Sequence, residues 1–387
     1  MAEQGDSELP KRTVKFPTDL SIGSLYVHQS GTAAFQLPSW WSFERTPYHF
    51  QGVTPRSATA YRYYWKQLGN TQDNVEVPAD HELALVAHEE SHNHYDSLAK
   101  LLPNDLQGLR ATFMHRGDLR FIANLTGLRY LFLASEELND NELVGLEGLS
   151  ELQILMLIGC HNVNTGLSAL RDLTKLRQLE LNAVDVTDRA LVDLAQIPSL
   201  DLLIFNEMGM SEDAFITYLT PLPVPRLFLG NCYNLTVATL ERIAQTYHGA
   251  PRPLVEFRVY DNTLMNGEDI KFFLKSVPKG QIEIFGIPGM PVTKDTLKQI
   301  EGLTGLVELD LGSTQITDAG VEHLESLSKM QHLHLGNTHI TDKSVERLAQ
   351  LKGLQTLVVE GTRISKAGMT ELRNSLPTCE IMPDEEW

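Results

Sequence analysis

The residues that could do chemistry are few, and the most suggestive sit together at His88-Glu-Glu-Ser-His92. This matches H-E-x-x-H, in which two histidines one helical turn apart hold zinc and the glutamate acts as general base. His81 and His94 stand nearby. Three features weigh against a metal site. Glu90 puts a charge between the pair, the motif directly follows the strand-like run Leu83-Ala-Leu-Val86, and no third ligand stands at a recognisable spacing. The expected state is a solvated turn, with no metal, no cofactor and no catalytic residue. A zinc-dependent hydrolase through His88, Glu89 and His92 is the alternative. No glycine-rich phosphate loop, G-x-S-x-G elbow or paired C-x-x-C occurs. Cys160, Cys232 and Cys379 are sparse and odd in number, which fits a reducing cytoplasm.

The elements that must position any site are legible from Leu303 to Ile381. There L-x-x-L-x-L recurs from Leu306, Met330 and Leu354, a period of 24 residues. Each copy predicts a short strand with alternate residues buried, as at Leu309-Asp-Leu311. A Thr or Ser follows as helix N-cap, with Asp next in two copies (Thr317-Asp318, Thr341-Asp342). Apolar residues at helical spacing come next, as in Val321, Leu324 and Leu327. One unit cannot bury its apolar faces alone, so the copies must stack, with strands lining a concave sheet and helices outside. The expected fold class is therefore α/β, a right-handed repeat solenoid shaped as a horseshoe with a parallel concave sheet, convex helices and an N-terminal cap.

Further motifs begin at Leu106, Leu128, Leu152, Leu176, Leu200, Val224, Leu254 and, by spacing, Lys279, giving about eleven strands. The steps of 30, 25 and 27 after Val224 predict insertions near Tyr247–Pro253 and in a rim loop at Phe285–Val292. Cys160 and Cys232 fall where Thr314, Thr338 and Thr362 stand, eight residues after the first leucine, a place for a small polar group that satisfies the turn. Three regions result: residues 1–79, aromatic-rich and non-repeating, a cap for the open core; the solenoid, 80–381; and an acidic tail, 382–387.

The Thr-x-Ile-Thr-Asp copies and the Cys/Thr position resemble the cysteine-containing-like subtype of leucine-rich repeat proteins. The ending Leu376-Pro-Thr-Cys-Glu-Ile381 resembles uncharacterised bacterial cytoplasmic repeat proteins. The resemblance implies protein–protein recognition and supplies no catalytic residue. An F-box-like substrate adaptor needs an N-terminal helical box, to which Leu37-Pro-Ser-Trp-Trp is a poor start.

Net charge of −18 argues against a nucleic-acid partner and an anionic membrane surface, and leaves basic proteins open as partners. The N-terminus shows neither a basic start nor an apolar core, so no secretory signal is expected and a cytoplasmic location is. The longest apolar run, Ile154–Ile158, is too short to span a bilayer. The expected function is a non-catalytic scaffold that takes a protein or peptide on the concave face. Strand alternation places there Tyr130, Phe132, Ile154, Met156, Ile158, Leu202, Ile204, Arg226, Phe228, Arg258 and Tyr260, with Gln281, Glu283 and Phe285 further on. The first half of that face is apolar where a solvated sheet is polar, the pattern of a partner site. The aromatic N-terminal region lying across it is the competing reading.

Overall fold

The computed structural model describes residues 10–16, 23–29, 66–71, 74–112, 119–163, 165–188, 190–197, 199–219, 224–232, 234–248, 250–260 and 265–382, without the side chains of 28, 29, 66, 89–93, 218 and 219. They fall into two compact units. One holds the described residues up to Leu179 with Ala183–Ser199; the other holds Glu180–Asn182 and those from Leu200 onward.

In the first unit β1 (Lys11–Lys15), β2 (Gly23–Gln29), β3 (Lys66–Asn70) and β4 (Asn74–Pro78) precede the repeats. Strand β1 pairs antiparallel with β4, and β2 pairs antiparallel with both β3 and β5 (His81–Ala87). From β5 the pairing turns parallel, through β6 (Gly108–Thr112), β7 (Tyr130–Ala134) and β8 (Ile154–Ile158). Arg12 ties the opening strand to the first repeat. Its guanidinium donates to the carbonyls of Asn104 at 3.0 Å and Asp105 at 3.1 Å, and to Gln107 Oε1 at 3.0 Å. The same Gln107 oxygen accepts from the Leu83 N–H at 2.9 Å.

Strand β9 (Gln178–Asn182) leads into the second unit, where β10 (Leu202–Asn206), β11 (Arg226–Gly230), β12 (Glu256–Tyr260), β13 (Ile284–Gly286), β14 (Glu308–Asp310), β15 (His332–His334), β16 (Thr356–Val358) and β17 (Glu380–Met382) follow in chain order. All of these pairings are parallel and in register. Strand residues pointing one way meet the helical segments. Phe257 stacks on Phe273 of the helix Gly267–Ser276 with ring centroids 4.4 Å apart, and Phe285 extends the stack. Leu309, Leu311, Leu333 and Leu357 close the same layer.

Three devices repeat with the period. First, the chain leaves several strands through a left-handed residue: Ala183, Glu207, Asn231, Ser313 and Asn337 all have φ between 44° and 56°. This lets the N–H of Asn231, Ser313 and Asn337 reach a carbonyl of the next strand's turn, Tyr260, Gly336 and Glu360. Second, the hydroxyls of Thr314, Thr338 and Thr362 donate to the carbonyl three residues back at 2.6–2.7 Å. Cys160 and Cys232 serve the same turn, their thiols lying 3.7 Å from the Ile158 carbonyl and 3.4 Å from that of Gly230. Burial pushes both thiols up to about 12, which keeps them protonated and unreactive.

Third, the acid after the N-cap clamps the following repeat. Asp318 accepts from the Thr341 N–H at 2.7 Å, the Thr341 hydroxyl at 2.8 Å and the Ser344 hydroxyl at 2.6 Å. Asp342 accepts from the N–H and hydroxyl of Ser365, both at 2.7 Å. Asp140 does likewise with Thr165 and Gly166 in the first unit. The helical stripe after these caps is shorter than its spacing predicts. Asp318–Val321 is a single α-turn, continued by a 3₁₀ turn at Glu322–Leu324.

Two expectations are corrected. The motif expected at Lys279 begins at Ile282, because Phe285 pairs with Leu309 and Phe257, and all three are core. The steps are therefore 28 then 24, and Phe285–Val292 is a turn of ordinary length rather than an inserted rim loop. The excess lies on the helical side, where Gly267–Ser276 runs for ten residues against seven in Lys294–Ile300.

Candidate binding face

Alternation along a strand leaves one row of side chains per sheet turned away from the helices. In-register pairing stacks these rows into columns, and the two units fill them differently.

In the first unit the centre of the face is apolar and closed. Phe132 and Ile154 are fully buried and Met156 is 4% exposed. With Ala84 and Ala134 they form a cluster of their own, flanked by the half-buried Tyr26, Tyr130 and Ile158. Arg110 lies 4.8 Å above the Phe132 ring. The expectation of an open apolar patch here is corrected. Phe132 and Met156 stand side by side in register, each shielded by its neighbours, and water does not reach them.

In the second unit the face is polar, with apolar rungs. The central column runs Ile204, Phe228, Arg258, Gly286, Asp310, His334. Beside it run Leu202, Arg226, Glu256, Ile284, Glu308 and His332. Arg258, 5% exposed, holds this face together. Its Nε donates to Glu256 at 2.6 Å and its Nη2 to Glu308 at 2.8 Å, while Phe228 lies under the guanidinium at 5.3 Å. Glu308 is two strands away. The reach passes over Gly286 on the intervening strand, where a Cβ would come into van der Waals contact with Arg258 and Asp310 at 3.4–3.5 Å.

Burial works against the Arg258 charge, but Glu256 and Glu308 more than offset it, so its pKa is raised. Burial also raises Glu308, opposed by Arg258 and helped by the nearby Glu256 and Asp310. Two carboxylates thus share one guanidinium, with a third, Asp310, close by. Asp310, 2% exposed, is not the solvent-facing residue expected of its position. It accepts from the Gly312 N–H at 2.8 Å and lies 2.7 Å from His334 Nδ1. A third column carries amides: Asn206 donates to Asn182 at 3.1 Å, Tyr260 donates to Asn206 at 3.4 Å, and the Tyr260 ring fills the space over Gly230.

Of the expected partner-binding residues here, Leu202, Arg258 and Tyr260 are buried, and Ile204, Arg226 and Phe228 remain partly open. Gln281 and Glu283 fall outside the strand and Phe285 belongs to the core. Ile284 and Gly286 take their places, and the alignment of Ile282, Phe285 and Ile287 with Leu306, Leu309 and Leu311 is the signal that marks them.

The backbone of the His88–His92 segment enters a 3₁₀ helix, Glu89–Lys100, rather than the α-helix that the zinc motif needs. His88 precedes it in extended conformation, with Nε2 3.3 Å from the Ser24 hydroxyl. The side chains of 89–93 lie outside the described residues, and among those described no group of three metal-ligating side chains forms. No helix among the described residues is long and apolar enough to cross a membrane.

The chain is similar in fold to an internalin (inlF) of Listeria monocytogenes, at 18% identity over 76% of this chain and 89% of that one, with a TM-score of 0.44. It is likewise similar to the structure of yeast Rad7 with Elc1, at 14% identity, 78% and 84% coverage and a TM-score of 0.47. A third likeness is to TLR13 solved with ssRNA13, at 18% identity, 70% and 38% coverage and a TM-score of 0.45. No curated protein matches the sequence. Residues 304–364 match the model described as leucine rich repeat. That stretch is a leucine-rich repeat region, and its strand, left-handed turn and capped helical segment recur in both units.

Proposed function

We propose that this protein is a non-catalytic interaction scaffold that takes a protein or peptide on the sheet face of its second unit. The observation carrying this reading is that Ile204, Arg226 and Phe228 stay partly open beside the Arg258–Glu256–Glu308 network, at positions the core does not use. Open apolar rungs bordered by paired charges have the composition of an interface core and rim. On the first unit's face the central Phe132, Ile154 and Met156 are withdrawn from solvent and the partly open Tyr130 and Ile158 only flank them, so the second unit is the better candidate. A net charge of −18 favours a protein partner over a nucleic acid.

The reading includes residues 1–79 as a cap, supported by the antiparallel addition of β2 and β3 to β5. It also includes a reducing cytoplasmic setting, supported by three free thiols.

The test is affinity capture from the native cell with the double substitution Ile204→Glu and Phe228→Glu. A partner retained by wild type and by Phe272→Glu, on the exposed side of a helix, is expected to be lost. Undiminished capture by the double variant contradicts the proposal.

A further inference from the structure

Among the described residues Glu180 on β9 accepts no hydrogen bond and makes no ion pair, unlike the acids at Glu256, Glu308 and Asp310. It lies deep enough in the face that burial alone pushes its carboxyl up to about 7. Yet the residue is not sealed: it remains half-buried, with an opening to solvent. A carboxylate stripped of water without a partner is costly, and a matched cation relieves that cost.

What surrounds it suits a long basic side chain. The Asn206–Asn182 hydrogen bond sets β9 beside β10 one repeat apart, so Ile204 occupies the next rung of Glu180's column. Phe228 is the rung after that, by register with Ile204. Both are partly open. Two rungs span roughly 10 Å, the scale of an extended lysine or arginine side chain with its backbone. Such side chains lay an aliphatic stem on apolar surface and place the charge at the end. The ring of Phe228 already carries one guanidinium, that of Arg258, whose charge Glu256 and Glu308 balance.

We propose that Glu180 anchors a lysine or arginine side chain of the protein partner, with its stem over Ile204 and Phe228. This rests on the reading of the second unit's face as the partner site. The acidity of the whole chain steers such a partner inward.

A fluorescein-labelled peptide of alternating lysine and alanine tests it by anisotropy, against the same peptide with glutamine for lysine. Wild type is expected to bind the lysine peptide more tightly. Glu180→Gln is expected to lower that affinity about tenfold or more, as for loss of a desolvated charge pair. Glu283→Gln, which removes an exposed acid of equal charge, is expected to change it less than about twofold, as rim charges do. Glu180→Gln removes an unpartnered acid and keeps its shape, so the fold is retained, which a thermal melt verifies. Equal losses in the two variants mean a general charge effect and overturn the proposal, as does indifference between the two peptides. If the double substitution Ile204→Glu and Phe228→Glu loses the native partner while Glu180→Gln keeps it, the basic anchor is wrong and the face stands.

Discussion

Replacing Asp318 by Ala removes the acceptor of three hydrogen bonds that join one repeat to the next. The Thr341 hydroxyl is half-buried and turns to water at little cost. The Thr341 N–H, at a helix start, and the fully buried Ser344 hydroxyl do not. Each orphaned buried donor costs about 1–3 kcal/mol, so a loss of about 3 kcal/mol at pH 7 is expected. Asn at 318 keeps one acceptor oxygen and is expected to lose about half as much. Urea denaturation reads this as a lower midpoint at unchanged slope.

The pH dependence carries a sign. The hydroxyls of Ser344 and Thr341 and the Thr341 N–H outweigh burial and hold Asp318 below its ordinary pKa in the folded protein. Its contribution is therefore full above the unfolded value of about 3.9 and is lost as pH falls through the folded one. The gap between wild type and Asp318→Ala is constant from neutral pH down to about 5 and narrows below about 4. A loss under about 1 kcal/mol at pH 7, or a gap that does not narrow in acid, refutes the clamp.

Leu309→Ala is expected to cost about 2–5 kcal/mol for a fully buried leucine. Asp310→Ala is expected to cost about 1–3 kcal/mol, since it orphans the Gly312 N–H and His334; denaturation showing no loss at 310 contradicts that network. Ser313→Gly, exposed at φ 56°, is expected to stabilise by about 0.5–1 kcal/mol by relieving left-handed strain, and a fall in melting temperature contradicts this. For Glu180, raised from 4.5 to about 7, the folded state holds the proton more tightly, so wild type loses stability as pH rises between those values. Glu180→Gln does not titrate; it is expected to match wild type near pH 4 and exceed it at pH 8, and parallel pH profiles sink this account.

Much of the fold is legible in the sequence because a buried leucine every 24 residues leaves few alternatives. The strands from Leu306, Met330 and Leu354, the N-caps and the Thr/Cys turn position all follow from local spacing. The slip at Lys279 has a local cause. The helix Gly267–Ser276 is longer than its neighbours, so counting residues fails where the apolar triad Ile282, Phe285, Ile287 does not.

The face is less legible, because alternation tells which way a side chain points and not what stands beside it. Phe132 and Met156 read as exposed, and the structure closes them. The Arg258–Glu308 pair spans 50 positions and passes over Gly286 on the strand between, a relation no single repeat displays. Glu180 carries no mark in the sequence, and its want of a partner among the described residues appears only in three dimensions.

A photocrosslinking side chain placed at Phe228 addresses the binding face most directly, with one at Phe272 on the exposed helical side as reference. Irradiation in the native cell is expected to give a covalent partner adduct from position 228 and none from 272. An adduct with the same partner from 272, and none from 228, contradicts the assignment of the second unit's sheet face as the binding surface.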